Sequence, residues 1–338
     1  MRRADPGGDV LLVGRRGGLE ETLVPSSGLR LETLNVRGID LGSPWKLPGV
    51  GLRISRATLQ ASGILRRFRP DVVVGAAGYV SVPVVAAALL RRIPVVLMEQ
   101  NAHPGRTTRL FARRARVVAA SFAETAPLLP GARVVHTGNP VRPEVKRLAG
   151  APVGERCDHL LVMGGSQGAR RLNDAVAGSI RELLQHHPSL RVTHQCGARD
   201  ADWVVPMRAG LPDQLRERYT VSAFFDDIGE RIRDADLVVM RAGGSSLAET
   251  TVLGRPMMLV PYPYAGAHQM DNALPYVHAG AAVLIPDEEC GAERLRSEVD
   301  RIIADPARWR GMAAASRAAG HPDADDAVVA LIREAAAA

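Results

Sequence analysis

Leu160-Leu-Val-Met-Gly-Gly-Ser-Gln-Gly-Ala-Arg-Arg-Leu-Asn173 runs apolar, then glycine-rich, then helical. A buried strand, a tight turn and a helix start read this way. Glycines let a backbone approach an anion closely. The free N–H groups and the dipole of the following helix then face that anion, and Ser166 can add a hydroxyl. A purely steric need for glycine at a strand-to-helix turn would give the same letters. The string is not GxGxxG, and no Walker lysine follows it. Taken alone, the loop leaves both readings open.

Outward from it, the apolar run is one of a series. Asp9–Val13, Leu29–Leu34, Asp71–Gly75, Ile93–Leu97, Arg116–Ala119 and Arg133–His136 occupy the first half. His159–Met163, Leu190–His194, Tyr219–Ser222, Asp236–Met240, Pro256–Val260 and Ala281–Leu284 occupy the second. Unbroken apolar strands alternating with helix-length segments mark parallel sheets covered on both faces. The expected fold class is therefore α/β, with two doubly wound Rossmann-like domains. The prolines of Gly138-Asn-Pro-Val-Arg-Pro143 interrupt any continuous helix and place the joint there. Domain limits of 1–137 and 138–318 follow. Residues 319–338 are expected as a terminal helix packing back toward the first domain. Breaks near Asp305-Pro306 and Gly320-His-Pro322 divide the tail into three helices.

Composition narrows the function. The chain has 338 residues, 46% hydrophobic and 23% charged, which suits globular domains with full cores. Three dispersed cysteines without a CxxC argue against a disulfide framework or a zinc site. No apolar run reaches membrane-spanning length, and no signal-peptide pattern opens the chain. The net charge of +7 is concentrated in Leu65-Arg-Arg-Phe-Arg69, Arg91-Arg92 and Phe111-Ala-Arg-Arg-Ala-Arg116. These are either solvated helix ends or an attraction to an anionic partner. With five Phe and five Tyr and no nucleic-acid motif, a membrane surface fits that partner better than a nucleic acid. The loop Val36–Val50, which carries Trp45, reads as folded on the core or as touching that surface.

Further clusters follow the other strands. Met240-Arg-Ala-Gly-Gly-Ser-Ser-Leu-Ala-Glu-Thr250 repeats the glycine-loop design. Ser246-Leu-Ala-Glu249 is also a capping box, in which Glu249 would fold back on the helix start. The other reading gives Glu249 a ribose, whose paired hydroxyls match two carboxylate oxygens. His268, Gln269 and Asn272 group at the next helix start, as sugar hydroxyls or plain solvation would require. All three clusters fall at the carboxyl ends of expected parallel strands, where such sheets bind ligands. In the first half, Gly75–Ser81 and Met98–Pro104 follow strands directly, and Glu99 is an available acid or base.

With these residues assembled, the chain resembles the MurG family of peptidoglycan glycosyltransferases. The matching strings are Pro70-Asp-Val-Val-Val-Gly75, Gly78-Tyr-Val-Ser81, Glu99-Gln-Asn101, Gly138-Asn-Pro-Val-Arg142 and Gly164-Gly-Ser-Gln-Gly-Ala169. Phe225-Asp-Asp227, Arg241–Glu249, Leu259-Val-Pro-Tyr-Pro263, His268-Gln269 and Asn272-Ala273 continue the match in order. The resemblance implies a GT-B fold whose domains face a cleft. It also implies inverting transfer of N-acetylglucosamine from UDP-GlcNAc to undecaprenyl-linked lipid I, at the cytoplasmic face of an anionic membrane. It places Ser166, Gln167, Gly168, Arg142 and the Gly244-Ser245-Ser246 loop, with Leu247 and Ala248 next to it, around the donor diphosphate. Phe225 would present backbone groups to uracil, Glu249 would hold the ribose, His268 and Gln269 would read the sugar beside Asn272, and Asn101 would reach in from the other domain. No metal and no other cofactor is implied, since no DxD-type pair stands at the diphosphate.

Two departures qualify the resemblance. The family opens with a strand and a GGTGGH-type loop whose histidine is a candidate base. Here Asp9–Val13 aligns with the family's second strand, so the catalytic base is unassigned and Glu99 is the remaining candidate. Met98 replaces a usual histidine. In a doubly wound sheet the first strand lies centrally, so Asp9–Val13 and Asp71–Gly75 should face an empty lane or pair directly. The expectation is an incomplete first domain, a start lying upstream of Met1, and little transfer by the chain as written. Another GT-B lipid glycosyltransferase, such as a diacylglycerol enzyme, and a non-catalytic UDP-sugar binder are the competing readings. A dinucleotide dehydrogenase is excluded, because no first-strand GxGxxG with a following acidic residue is present.

Overall fold

The computed structural model describes residues 7–18, 20–36, 47–76, 78–263 and 268–337. The chain divides into two compact units, 1–137 with 325–338, and 138–324. The described residues hold twelve strands, β1 to β12, one at each apolar run of the sequence.

In the second unit, β7 (His159–Met163), β8 (Arg191–Gln195), β9 (Tyr219–Ser222), β10 (Leu237–Met240), β11 (Met257–Leu259) and β12 (Ala282–Leu284) form one sheet. Its order is β12-β11-β10-β7-β8-β9, and each neighbouring pair is parallel. The strand order reverses between β7 and β10, so the connections leave in opposite directions and open a crevice at the carboxyl ends. Every residue of β7 is buried, as a strand with ladders on both edges and helices on both faces should be.

The helix Arg170–His186 follows the opening loop. Leu172, Val176, Ile180, Leu183 and Leu184 return at helical spacing and are buried against Leu160, Val162 and Val192. Pro188 stops it, since proline cannot continue the ladder. Trp309 is 1% exposed and donates its indole N–H to the Asp236 carbonyl at 2.8 Å, which satisfies its one polar atom.

The first unit is built differently. β1 (Leu11–Arg15) and β2 (Arg30–Leu34) form a two-stranded parallel sheet, whereas β3 (Val73–Gly75), β4 (Val95–Glu99), β5 (Val117–Ala120) and β6 (Val134–His136) form a separate four-stranded one. Among the described residues no ladder joins β1 to β3, so the direct pairing considered from the sequence is not adopted. Leu12 and Val74, at these edges, are 36% and 38% exposed. One apolar cluster still spans both pieces, since Leu34, Ala57, Ala61, Ile64 and Leu65 pack with Val73, Val85 and Leu97. The terminal helix Ala324–Ala336 belongs to this unit. Its Val328, Leu331, Ile332 and Ala335 pack on Val96, Val117 and Ala119. Most of the Trp45 loop (37–46) and residues 1–6 lie outside the described residues.

Candidate active site

The opening loop leaves the end of β7, and the second glycine loop leaves the end of β10, the two strands that flank the reversal. Both line one cavity of about 1290 Å³ with Arg142, Ser166, Gln167, Gly168, Ser246, Glu249 and Gln269 among its walls. Every lining residue belongs to the second unit. This is the place where open α/β sheets hold phosphorylated ligands.

The shape of the first loop depends on two glycines from different segments. Gly168 and Gly197 have φ of +92° and +83°, and a Cβ on Gly197 would meet the Gly168 nitrogen at 2.0 Å. No side chain fits between these backbones. The Gly168 amide closes a turn onto the Gly165 carbonyl at 3.2 Å, and Gly164 is tied to the Gln195 carbonyl at 2.9 Å. As a donor Gly168 is therefore already committed, and the amides of the helix start beyond it remain for an anion.

Behind the loop runs a buried polar chain that sequence reading did not pick out. The Tyr219 hydroxyl lies 2.8 Å from His194 Nδ1, and His194 Nε2 lies 2.9 Å from Asn173 Oδ1. Asn173 Nδ2 donates to the Cys196 carbonyl at 2.9 Å and to Asp200 at 2.7 Å. Trp203 Nε1 donates to the other Asp200 oxygen at 3.0 Å. Because the Asn173 amide group faces two acceptors, its oxygen accepts, so His194 carries its proton on Nε2 and accepts from Tyr219. Burial pushes the His194 pKa down to about 4, which keeps the ring neutral. The available signal was Thr193-His194-Gln195, a polar run inside a strand whose neighbours required it to be buried.

The second loop starts the helix Gly244–Val252. Its N-cap is Gly243, with no side-chain cap bond, so the capping-box reading of Ser246 and Glu249 is not realised. Glu249 instead receives a two-pronged bond from Arg142, Nε to Oε1 at 2.7 Å and Nη2 to Oε2 at 2.9 Å. That pairing raises the Arg142 pKa further above its ordinary value. Leu247 is fully buried and its amide is bonded to Gly243, so its contribution is to the core. Ala248 is buried as well, and Gly244 and Ser245 form the first turn.

The other candidates divide. Phe225 donates its amide to Gln195 Oε1 at 3.1 Å, leaving its carbonyl as the group it can offer a base. Arg231 stacks on its ring at 4.2 Å, and the neighbouring Phe224 lines the cavity. Gln269 accepts from the Tyr262 amide at 2.9 Å. Asn272 is fully buried and donates to the Ala242 carbonyl at 3.2 Å, which ties its helix to the second glycine loop. His268 begins the helix His268–His278, and residues 264–267 just before it lie outside the described residues.

Asn101 and Glu99 are in the first unit. Glu99 is 1% exposed and accepts from the Asn101 amide and side chain, the Gly105 amide and the Thr108 hydroxyl. A carboxylate so enclosed organises its loop and is not open to a substrate proton. Of the guanidinium groups lining the cavity, Arg170, Arg171 and Arg241 face Asp174 or Asp287, whereas Arg199 has no ion-pair partner among the described residues.

Two α/β units built on parallel sheets, one carrying paired glycine loops at its switch point, have the GT-B architecture, and the family models make the chain a glycosyltransferase. The glycosyltransferase family 28 C-terminal domain matches residues 159–328, and its N-terminal domain matches residues 5–120. The UDP-N-acetylglucosamine–N-acetylmuramyl-(pentapeptide) pyrophosphoryl-undecaprenol N-acetylglucosamine transferase of Desulforudis audaxviator is 40% identical, over 99% of this chain and 92% of that protein. The same-named protein of Moorella thermoacetica is 39% identical, over 98% and 92%. The crystal structure of Acinetobacter baumannii MurG superposes with a TM-score of 0.77 at 27% identity, covering 98% and 93%. UDP-GlcNAc 2-epimerase from Neisseria meningitidis, at TM-score 0.62 and 13% identity, shares the fold alone. The chain belongs to the MurG family.

Proposed function

We propose that the chain transfers N-acetylglucosamine from UDP-GlcNAc to undecaprenyl-diphospho-N-acetylmuramoyl-pentapeptide, converting lipid I to lipid II with inversion. One observation carries the donor half of this reading. Two glycine loops flank the sheet reversal, and a mostly buried carboxylate, Glu249, lines the cavity they share with its orientation fixed by Arg142. The amides of the two helix starts would stabilise the diphosphate as it leaves, by fixed dipoles that need no reorganisation. Glu249 would accept from the ribose hydroxyls, and Gln269 with His268 would contact the sugar. The remaining site residues from the sequence keep the roles the resemblance implies for them: Ser166 and Gln167 at the diphosphate, the Phe225 carbonyl at uracil, and Asn101 from the acceptor side.

Approach to a lipid acceptor is supported by the helix Leu47–Phe68. Leu52 and Leu59 are 55% and 73% exposed and stand on one helical stripe with Arg56 and Arg66, opposite the buried Ala57, Ala61 and Leu65. Arginines beside an anionic leaflet contribute about 1 kcal/mol each, and inserted leucines add apolar burial. Among the described residues no helix is long and apolar enough to cross a membrane, so this reading is of a peripheral contact.

The test is turnover by the full chain, with UDP-GlcNAc and either lipid I or diacylglycerol as acceptor, alongside calorimetry with UDP-GlcNAc. Lipid II formation with lipid I supports the proposal. Transfer only to diacylglycerol, or donor binding without any transfer, would replace it with one of the competing readings.

A further inference from the structure

We infer that Asp287 is a positioning residue for sugar recognition: through Arg241 it holds the turn that orients Gln269. The inference rests on the proposed contact of Gln269 with the sugar and adds the residues that set that contact.

Asp287 opens the short turn Asp287–Glu289 after β12. Its two carboxylate oxygens face cations from different elements. One accepts from Arg241 Nη1, directly after β10, where the second glycine loop begins. The other lies 3.5 Å from Arg171 Nε, in the helix that follows the first glycine loop. Arg171 also donates from Nη1 to the Glu288 carbonyl at 3.1 Å. The side chains of Arg241 and Asp287 are only 15% and 13% exposed. Removing the carboxylate would leave a mostly buried guanidinium without its anion, a costly arrangement.

What Arg241 holds in turn is the chain leaving β11. Val260-Pro261-Tyr262-Pro263 has a proline at every second position, so half of its residues lack an N–H with which to tie the turn to itself. Arg241 Nη1 supplies the missing donor, to the Val260 carbonyl at 3.0 Å and the Pro261 carbonyl at 3.3 Å, and the guanidinium lies over the Tyr262 ring at 5.4 Å. The next amide, that of Tyr262, donates to Gln269 Oε1 at 2.9 Å. A backbone N–H can only donate, so the oxygen of Gln269 faces it, and Nε2 is the group turned to a sugar oxygen. Asp287, Arg241, the Val260–Tyr262 turn and Gln269 thus form one bonded sequence, running from the edge of the sheet to the wall of the cavity.

Calorimetry on the full chain with UDP and UDP-GlcNAc tests this. Gln269→Ala should weaken UDP-GlcNAc roughly 5- to 10-fold, the worth of one hydrogen bond, and leave UDP within about 2-fold of wild type. Asp287→Ala should reproduce both effects to within about 2-fold. The Asp287→Ala/Gln269→Ala double variant should then lose little more than either alone. Asp287→Asn keeps one oxygen for Arg241 and should fall between Asp287→Ala and wild type. Glu289→Gln removes the same charge from an exposed position of the same turn and should match wild type.

A wild-type ratio of UDP-GlcNAc to UDP affinity in Asp287→Ala, beside a Gln269→Ala in which that ratio has fallen, would overturn the inference. Equal weakening of both ligands by Asp287→Ala would overturn it as well, because the carboxylate would then support the whole site. So would an equal effect of Glu289→Gln, which would reduce Asp287 to a distant charge. A Gln269→Ala variant with the wild-type ratio would instead remove the sugar contact itself, and the inference with it. Thermal melts of the free variants identify any that fail to fold, and Asp287→Asn keeps the test open should alanine do so.

Discussion

The central strand of the second unit and the opening strands of the first have similar sequences and different surroundings. β7 is paired on both edges and is buried at all five residues. β1 and β3 each have one ladder partner among the described residues, and Leu12 and Val74 are exposed on them. An apolar run therefore specifies a strand, and its neighbours decide whether it becomes a rigid support. The loop leaving β7 inherits that rigidity. It is bonded to the end of β8 through Gly164, crossed by Gly197, and backed by the Asn173–His194–Tyr219 chain.

The rigid loop is most sensitive where Gly197 crosses it. Gly197→Ala forces a Cβ onto the Gly168 nitrogen at an already positive φ. It should cost at least about 3 kcal/mol in urea unfolding and abolish UDP binding. A stable variant that binds UDP normally would mean the loop is not held as described. Next in size is Asn173→Ala, which takes one partner each from His194, Asp200 and the Cys196 carbonyl and should cost about 2–4 kcal/mol. UDP binding should weaken in that variant by more than the unfolded fraction explains.

Acid sharpens the same contrast. His194 is pushed down to about 4 by burial, below its ordinary value of about 6.5. Between those limits the unfolded chain takes up a proton that the folded chain refuses. The stability from neutral His194 is therefore complete above about pH 6.5 and is lost as pH falls toward 4, by up to about 3 kcal/mol. His159, also lowered by burial, acts with the same sign. In His194→Gln the melting temperature should fall less steeply over that interval, and an unchanged slope would show the ring is not buried neutral. The smallest effects separate the strands themselves. Val162→Thr places a hydroxyl at a fully buried site and should cost about 1–3 kcal/mol. Val74→Thr should stay within about 0.5 kcal/mol.

Much of the fold was legible because Val-, Leu- and Ile-rich runs and glycine turns are local signals. The glycine loops were legible for the same reason, since a strand, a turn and a helix start adjoin in the chain. The clamp on Glu249 was not, because its partner is 107 residues away and a capping box gave a sufficient local explanation. Asn173 was also hidden. On an amphipathic helix its inward position shows, but the two acceptors that make it useful come from the end of β8 and the turn after it. Phe225 illustrates a third limit: that its amide faces Gln195 rather than a ligand depends on a backbone orientation no spacing encodes.

Hydrogen exchange of the full chain, with and without UDP-GlcNAc, tests the donor site most directly. Slowed exchange is expected at residues 164–173 and 243–249 and around 225, with the smallest change at β1 and β3. Donor binding that leaves 164–173 and 243–249 unprotected, with protection confined to the first unit, would contradict the placement of the donor between the two glycine loops.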